Sequence, residues 1–308
     1  MLPQRVLVTG ANGLVGQELV RRLAAEPAYD VLATARDDAA RFDAQGVGYT
    51  RLDVTDADGV RRAFQDFAPD AVVNLAALTD VNRCERERDR CWATNADAVA
   101  LLARHCLRTG ARLVQVSTDF VFAGDAGSLY TEADRPAPVN FYGRSKFAGE
   151  NEARGAGVDR WAVVRPALVY GVPGEAGRSN FVLWVIDRLQ RGERTRVVAD
   201  QRRTPTYAPD VASGIERVVR FGKPGVFHAA GREELSVFDF AVRVAHVFGL
   251  DASLLEPTDA ASFTEPAPRP LRTGLLILKA ETELGYRPRP LDESLRHLGD
   301  RLGLPVVG

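Results

Sequence analysis

Val6-Leu7-Val8-Thr9-Gly10-Ala11-Asn12-Gly13-Leu14-Val15-Gly16 is the stretch that decides the fold. An apolar, β-branched run leads into three glycines spaced G-x-x-G-x-x-G, and an amphipathic segment follows. Gly10 permits a sharp turn, and Gly13 lets the backbone approach a pyrophosphate. Gly16 lets a helix pack closely on a sheet. The free N–H groups at that helix start suit an anion. The spacing differs from the G-x-G-x-x-G of the common dinucleotide fingerprint. Its position, at the first strand-to-helix junction, is where a dinucleotide site belongs.

Outward from this junction, short β-branched runs alternate with helical periodicity. Residues 5–9, 30–35, 48–52, 70–74, 112–117 and 160–165 read as strands, and 13–25, 55–67, 94–109 and 142–153 as helices. Strands separated by helices need right-handed crossovers, so the expected fold is α/β, a Rossmann-type doubly wound parallel sheet. Beyond it the pattern loosens. Residues 179–191 read as a helix, 197–198 and 226–229 as short strands, and proline becomes dense after Glu256. The expected division is an NAD(P)-binding domain over 1–166, with 205–231 returning to it. A smaller, interleaved substrate-binding lobe then spans 167–204 and 232–308.

Composition narrows the function. The 308 residues are 45% hydrophobic, enough for a full core, and 40 basic residues nearly balance 41 acidic ones. No broad positive field exists for nucleic acid. The start, Met1-Leu2-Pro3-Gln4-Arg5, lacks a signal-peptide layout, and no apolar run approaches a membrane span, so the cytosol is expected. Cys84, Cys91 and Cys106 make no paired framework. Cys84 and Cys91, seven apart, fall on one face of a helix and read as structural thiols rather than metal ligands. No metal site is expected.

The end of the second strand discriminates between cofactors. An acidic residue there binds the ribose 2′-OH of NAD, whereas arginine accommodates a 2′-phosphate. Arg36 follows Ala35, with Asp37 one place late, which favours NADPH and leaves NADH open. Asp53 and Val54 are placed to meet the adenine, and Leu75, Ala76 and Ala77 let the cofactor lie against the backbone.

Tyr142 and Lys146 sit four apart, on one helix face. A phenol titrating near pH ~10 needs roughly three units of depression to shuttle protons near neutrality. That costs about 4 kcal/mol, which one cation ~4 Å away at an effective dielectric of ~20 supplies. Thr118, at the end of the fifth strand, can hydrogen-bond a substrate carbonyl.

Together these segments resemble the extended short-chain dehydrogenase/reductase superfamily, and within it the dTDP-4-dehydrorhamnose reductase family. The resemblance rests on Thr9-Gly10-Ala11-Asn12-Gly13, Asn74-Leu75-Ala76-Ala77, Ser117-Thr118-Asp119-Phe120-Val121-Phe122 and Tyr142-Gly143-Arg144-Ser145-Lys146 with Gly149-Glu150. Asp200-Gln201-Arg202 with Thr204-Pro205-Thr206, and Arg269-Pro270, extend it. It implies reduction of the 4-keto group of a nucleotide-activated deoxysugar, with Thr118, Tyr142 and Lys146 catalytic. Cofactor contacts are implied at Gly10, Asn12, Gly13, Leu14, Val15, Gly16, Tyr142, Lys146 and Pro166. Sugar or diphosphate contacts are implied at Thr118, Asp119, Leu168, Asn180, Arg202 and Arg269. Homodimers are usual in the superfamily. Leu168 departs from the family pattern, which carries tryptophan at that place. An Asp-Glu pair for dehydration is absent, since Phe120 follows Asp119. A sugar-nucleotide epimerase and a non-catalytic dinucleotide-binding regulatory subunit are the remaining alternatives.

Overall fold

A computed structural model describes residues 2–43, 45–172 and 180–307. The elements in chain order are β1 (Gln4–Thr9), α1 (Leu14–Ala24), β2 (Tyr29–Ala35), β3 (Gly48–Arg51), α2 (Ala57–Phe67), β4 (Ala71–Asn74), α3 (Val81–Arg86) and α4 (Arg88–Trp92). Then follow α5 (Ala98–Thr109), β5 (Arg112–Val116), α6 (Phe141–Ala153), β6 (Trp161–Arg165), β7 (Val169–Tyr170), α7 (Phe181–Gln190), β8 (Thr195–Val198), β9 (Arg202–Arg203) and β10 (Thr206–Tyr207). The chain ends with α8 (Ala208–Phe221), β11 (Gly225–His228), β12 (Leu235–Ser236), α9 (Val237–Val247), β13 (Leu255–Thr258), α10 (Leu278–Leu284) and α11 (Leu291–Leu302).

Seven strands form one sheet in the order β11-β6-β5-β4-β1-β2-β3, every pair parallel. The six strands read from sequence are all present, and the 226–229 run forms β11 beside β6. Strand order reverses between β1 and β4, and such a switch point opens a crevice at the carboxyl ends of the strands. Thr9, Asn74 and Gln115 tie these ends together. Thr9 Oγ1 donates to Asn74 Oδ1 (2.5 Å), and Asn74 Nδ2 donates to Gln115 Oε1 (2.7 Å).

One sheet face is covered by α1, α8 and α10, and the other by α2, α5 and α6. A separate core joins α7, α9 and α11 around Tyr170, Tyr207 and Phe240. Residues 275–286, which the sequence reading places in the lobe, put Leu275, Ile277, Ala280, Leu284 and Tyr286 into the sheet's own core. The 179–191 helix is α7, with Asn180 as its N-cap; Ser179 lies outside the described residues.

Two readings are corrected here. The helix expected over 94–109 does not start at Thr94: a π-helical turn over Ala93–Asp97 joins α4 to α5. Cys84 and Cys91 do not share one helix, because the chain breaks at Glu87 (φ −114°, ψ 57°) between α3 and α4. Helical periodicity survives a one-residue break, so spacing alone could not reveal it. Among the described residues no helix is long and apolar enough to cross a membrane.

Candidate active site

The cradle at the switch point is made of backbone. Gly10 has φ +68°, and a Cβ there would lie 2.6 Å from Ala76 N and 2.7 Å from the Leu75 carbonyl carbon. A Cβ on Gly16 would lie 2.4 Å from Gly10 O. Gly13 caps α1 without a side-chain cap, and the helix has no acidic residue in its first turn. That is an anion-ready helix start flanked by Leu14 and Val15. Leu75, Ala76 and Ala77 follow β4 across the crevice, half-buried, and Pro166 lies buried at the end of β6. These residues fit a nicotinamide dinucleotide.

The far end of the cradle holds the charges. Arg36 is exposed at the end of β2. Asp53 is exposed beside it, and Val54 is buried. Burial works to raise the Asp53 carboxyl, but the Thr55 N–H and hydroxyl outweigh it, helped by Arg36 and Arg90, and hold it below the usual range. Asn12 points its side chain into the β2–β3 connection. Its Nδ2 donates to Asp37 Oδ2 (2.9 Å) and to the Ala39 carbonyl (3.0 Å), while its Oδ1 accepts from Arg41 N (2.9 Å). The side chain of Asn12 therefore shapes the loop that borders the cofactor crevice.

Helix α6, which carries Tyr142 and Lys146, is pinned from both sides. Asn140 caps it, Oδ1 accepting from Gly143 N (2.8 Å) while Nδ2 donates to Pro268 O (2.9 Å). Gly143 lets it touch the turn after β5, since a Cβ there would meet Phe120 O at 2.2 Å; Gly149 does the same against Asn95 O at 2.2 Å. Tyr142 and Lys146 both lie buried on the face toward the sheet end. Lys146 Nζ donates to the Val116 carbonyl (2.7 Å), and the Tyr142 phenol hydrogen-bonds Thr118. Phe120 packs edge-on against the Tyr142 ring at 6.0 Å.

The electrostatics correct the expectation for the phenol. Burial raises Tyr142 above its usual value, against the lowering by Thr118, and Asp119 adds to the rise. Burial also lowers Lys146 to about 8, with Glu150 resisting. Lys146 is engaged by the Val116 carbonyl, and desolvation outweighs the influences that lower the phenol. In the chain alone, Tyr142 is a held proton donor.

Asp119 is buried with both carboxylate oxygens engaged. Oδ1 accepts from Thr118 (3.2 Å); Oδ2 accepts from Thr273 Oγ1 and lies 3.7 Å from Arg203 Nε. Burial raises its pKa, and Arg203 opposes that most strongly. Arg203 in turn donates to the carbonyls of Arg202 (2.7 Å), Leu271 (2.9 Å) and Pro270 (2.6 Å).

The remaining lobe residues spread out. Leu168 is half-buried at φ +38°, a left-handed conformation that a side chain adopts only under constraint, and its carbonyl accepts from Thr206 N (3.2 Å). Asn180 caps α7 and donates to the Gly171 carbonyl (2.7 Å). Arg202 is exposed and paired with Glu234 (3.4 Å). Arg269 pairs with Glu265 (2.7 Å) and donates to Asn82 Oδ1 (3.2 Å), with Nη1 buried and lacking a hydrogen-bond partner among the described residues.

The family model described as "RmlD substrate binding domain" matches residues 4–303. The chain belongs to the RmlD family. It is 36% identical over 291 residues to the dTDP-4-dehydrorhamnose reductase of Mycolicibacterium smegmatis, covering 94% of this chain and 82% of that one. A crystal structure of a dTDP-4-dehydrorhamnose reductase from Clostridium acetobutylicum superposes with a TM-score of 0.87 at 32% identity, covering 98% of this chain and 100% of that one. That from Bacillus anthracis, in complex with NADP, gives 0.85 at 29%, covering 97% and 99%.

Three residues that hold this cluster together escaped the sequence reading. Asn95, in the π turn, donates to the Leu78 carbonyl (3.0 Å) and Ser145 Oγ (2.9 Å) and accepts from Leu78 N (2.8 Å), joining the β4 loop to α6. A π turn splays a helix face and is frequent at functional sites; a buried amide on an otherwise apolar face was its only signal. Arg203 and Thr273 left no local signal, since their role depends on contacts across the chain.

Proposed function

We propose that this chain reduces the 4-keto group of a nucleotide-activated deoxysugar, dTDP-4-dehydrorhamnose or a near relative. The observation that carries the reading is Tyr142 hydrogen-bonded to Thr118 at the sheet's carboxyl edge, beside the Gly10 cradle and Lys146. The M. smegmatis and C. acetobutylicum relatives support the substrate class. When bound, the reduced nicotinamide supplies hydride to the keto carbon.

The chain's own residues handle the oxygen. Thr118 turns its hydroxyl from Asp119 to the carbonyl when substrate binds, beside that of Tyr142, and the Tyr142 O–H is transferred as negative charge develops there. A phenol raised by burial holds its proton until the alkoxide is basic enough to take it, which suits reduction. Lys146 then stabilises the phenolate left behind. Asp119, with its oxygens occupied, orients Thr118 rather than meeting the sugar. Leu168, Asn180, Arg202 and Arg269 are the candidate contacts on the sugar-nucleotide side.

NADPH is the preferred cofactor in this reading. The carboxylate of Asp37, the candidate partner of a ribose 2′-OH, is held by Asn12 and by Arg41 at 3.1 Å, while Arg36 stands exposed at the strand end. NADH remains usable. The lobe is formed by 167–204 and 232–308 apart from 275–286, which pack into the sheet core, and the reaction is assigned to the cytosol. Mixing the protein with NADPH and a dTDP-4-keto-6-deoxyhexose tests the proposal. Loss of the reduced-nicotinamide absorbance is expected; no consumption across a panel of keto-sugar nucleotides overturns it. Inversion at C4 without net consumption identifies an epimerase instead.

A further inference from the structure

Beneath the catalytic helix lies a pair of thiols that the reduction does not use. Residues seven apart on an unbroken helix are separated by about 10 Å along its axis. The break at Glu87 folds α3 back on α4, and the sulfurs of Cys84 and Cys91 meet at 2.7 Å. Both are fully buried, in one cluster with Leu78 and Tyr142. Cys91 Sγ also lies 3.2 Å from Ser145 Oγ and 3.4 Å from Asn95 Nδ2. Ser145 sits between the two catalytic residues on α6, and its hydroxyl donates to the Tyr142 carbonyl (2.7 Å). The third cysteine, Cys106, stands apart in the α5 core.

We propose that Cys84 and Cys91 form a redox-modification site: a dithiol that a peroxide converts to a disulfide, displacing Ser145 and slowing turnover at Tyr142. The inference rests on the proposed role of Tyr142, but the modification itself does not. Cys91 is the attacking sulfur. Ser145, Asn95 and Lys146 surround it and favour its thiolate against burial, while Cys84 donates to the Leu78 carbonyl. Burial raises Cys106 to about 12 against a backbone hydrogen bond, and no second sulfur lies beside it among the described residues.

The chemistry balances. The Cys91 thiolate attacks one peroxide oxygen, the O–O bond breaks and hydroxide leaves, giving a sulfenic acid. Cys84 sulfur then attacks Cys91 sulfur, the S–O bond breaks, and water leaves with the Cys84 proton neutralising the hydroxide. Two thiols are oxidised and one peroxide becomes two waters. A disulfide is about 2.05 Å long, so the sulfurs need only a small approach. The product has no S–H and no thiolate to hold Ser145. A displacement of about 1 Å at a reacting group can cost on the order of a hundredfold in rate.

The test treats the full chain with hydrogen peroxide, unfolds it in denaturant, blocks the remaining thiols with an alkylating agent, and digests it without reductant. A peptide cross-link between Cys84 and Cys91 is expected, with Cys106 alkylated, together with a fall in NADPH consumption of roughly tenfold that dithiothreitol reverses. Cys84→Ser, which keeps a donor for the Leu78 carbonyl, should retain the basal rate and resist peroxide; Cys84→Ala serves if the serine variant does not fold. Both thiols still alkylatable after peroxide, or a cross-link through Cys106, overturns the site. A complete Cys84–Cys91 disulfide with an unchanged rate overturns its coupling to catalysis. If no keto-sugar is turned over, the reductase reading fails separately, because the cross-link is read by mass and its effect on α6 by NADPH affinity.

Discussion

The two walls of the cleft are built by opposite means. The sheet wall is backbone: Gly10 pressed on Leu75 and Ala76, Gly16 on Gly10, and the Val116 carbonyl holding Lys146. The lobe wall is charged side chain: Arg203 with Asp119, Arg202 and Arg272 with Glu234, Arg269 with Glu265. A backbone wall demands particular residue types at fixed short spacing. A side-chain wall demands only that partners meet, and Asp119 meets Thr273 from 154 residues away. Under the proposed function the first kind of wall carries the cofactor end and the second sets where the substrate end sits.

The largest test falls where the walls join. Tyr142→Phe removes the one proton donor while keeping the ring against Phe120. Turnover should fall by about 10²–10⁴-fold, with NADPH affinity nearly unchanged by fluorescence titration. A wild-type rate would detach Tyr142 from the chemistry and assign the proton to another group.

Next comes the lobe wall itself. Arg203→Met strands the Asp119 carboxylate, and breaking a buried pair costs about 3–5 kcal/mol. At about 2–4 °C per kcal/mol for a chain approaching this size, Tm should drop visibly, and kcat should fall with the orientation of Thr118. Arg202→Met, one residue away, should stay within about 0.5 kcal/mol. Equal losses in the two variants would remove the distinction between buried and rim arginine.

That pair also shows what was legible in the sequence. Neighbours on a strand face opposite sides, so in β9 Arg203 is buried and Arg202 exposed. The motif around Thr204-Pro205-Thr206 marks the segment but not which arginine turns inward. By contrast, every strand of the sheet domain and the position of Tyr142 and Lys146 on one helix follow from periodicity. The charge state of Tyr142 does not, because desolvation depends on what covers the ring. Nor does the contact between Cys84 and Cys91, which needs one non-helical residue, Glu87, inside a helical pattern.

The sheet wall is tested through Gly10→Ala. The new Cβ would lie 2.6 Å from Ala76 N, at a φ of +68°. Neither contact atom can move without shifting the β4 loop, and strain of this kind costs of order 1–3 kcal/mol. NADPH affinity should fall with Tm, whereas the same change at Gly46, also at positive φ but with nothing within 4 Å, should leave affinity alone.

Lys146 links the walls to pH. Its native pKa, lowered by burial to about 8, lies below the ordinary lysine value of 10.5. Between these values the unfolded chain holds a proton that the native chain lacks, so stability rises with pH across that window. Activity moves the other way. The ammonium that stabilises the phenolate is lost as pH climbs through about 8, and kcat/KM, which reports the free protein, should bend downward there. Lys146→Arg, always charged, should lose that limb whatever its absolute rate; a limb that persists belongs to another group.

The smallest expected effect is at the outer end of the cradle, where the backbone wall gives way to a side chain. Arg36 is exposed, so its attraction for a 2′-phosphate is screened by water and salt. Arg36→Asp should weaken NADPH by roughly tenfold relative to NADH, about 1.4 kcal/mol, and the difference should shrink as salt is added. Equal weakening of both cofactors would mean that Arg36 acts only through its neighbour Asp53. Choice of dinucleotide would then pass to the Asn12–Asp37–Arg41 loop, making even this end of the cradle a matter of long-range side-chain contacts.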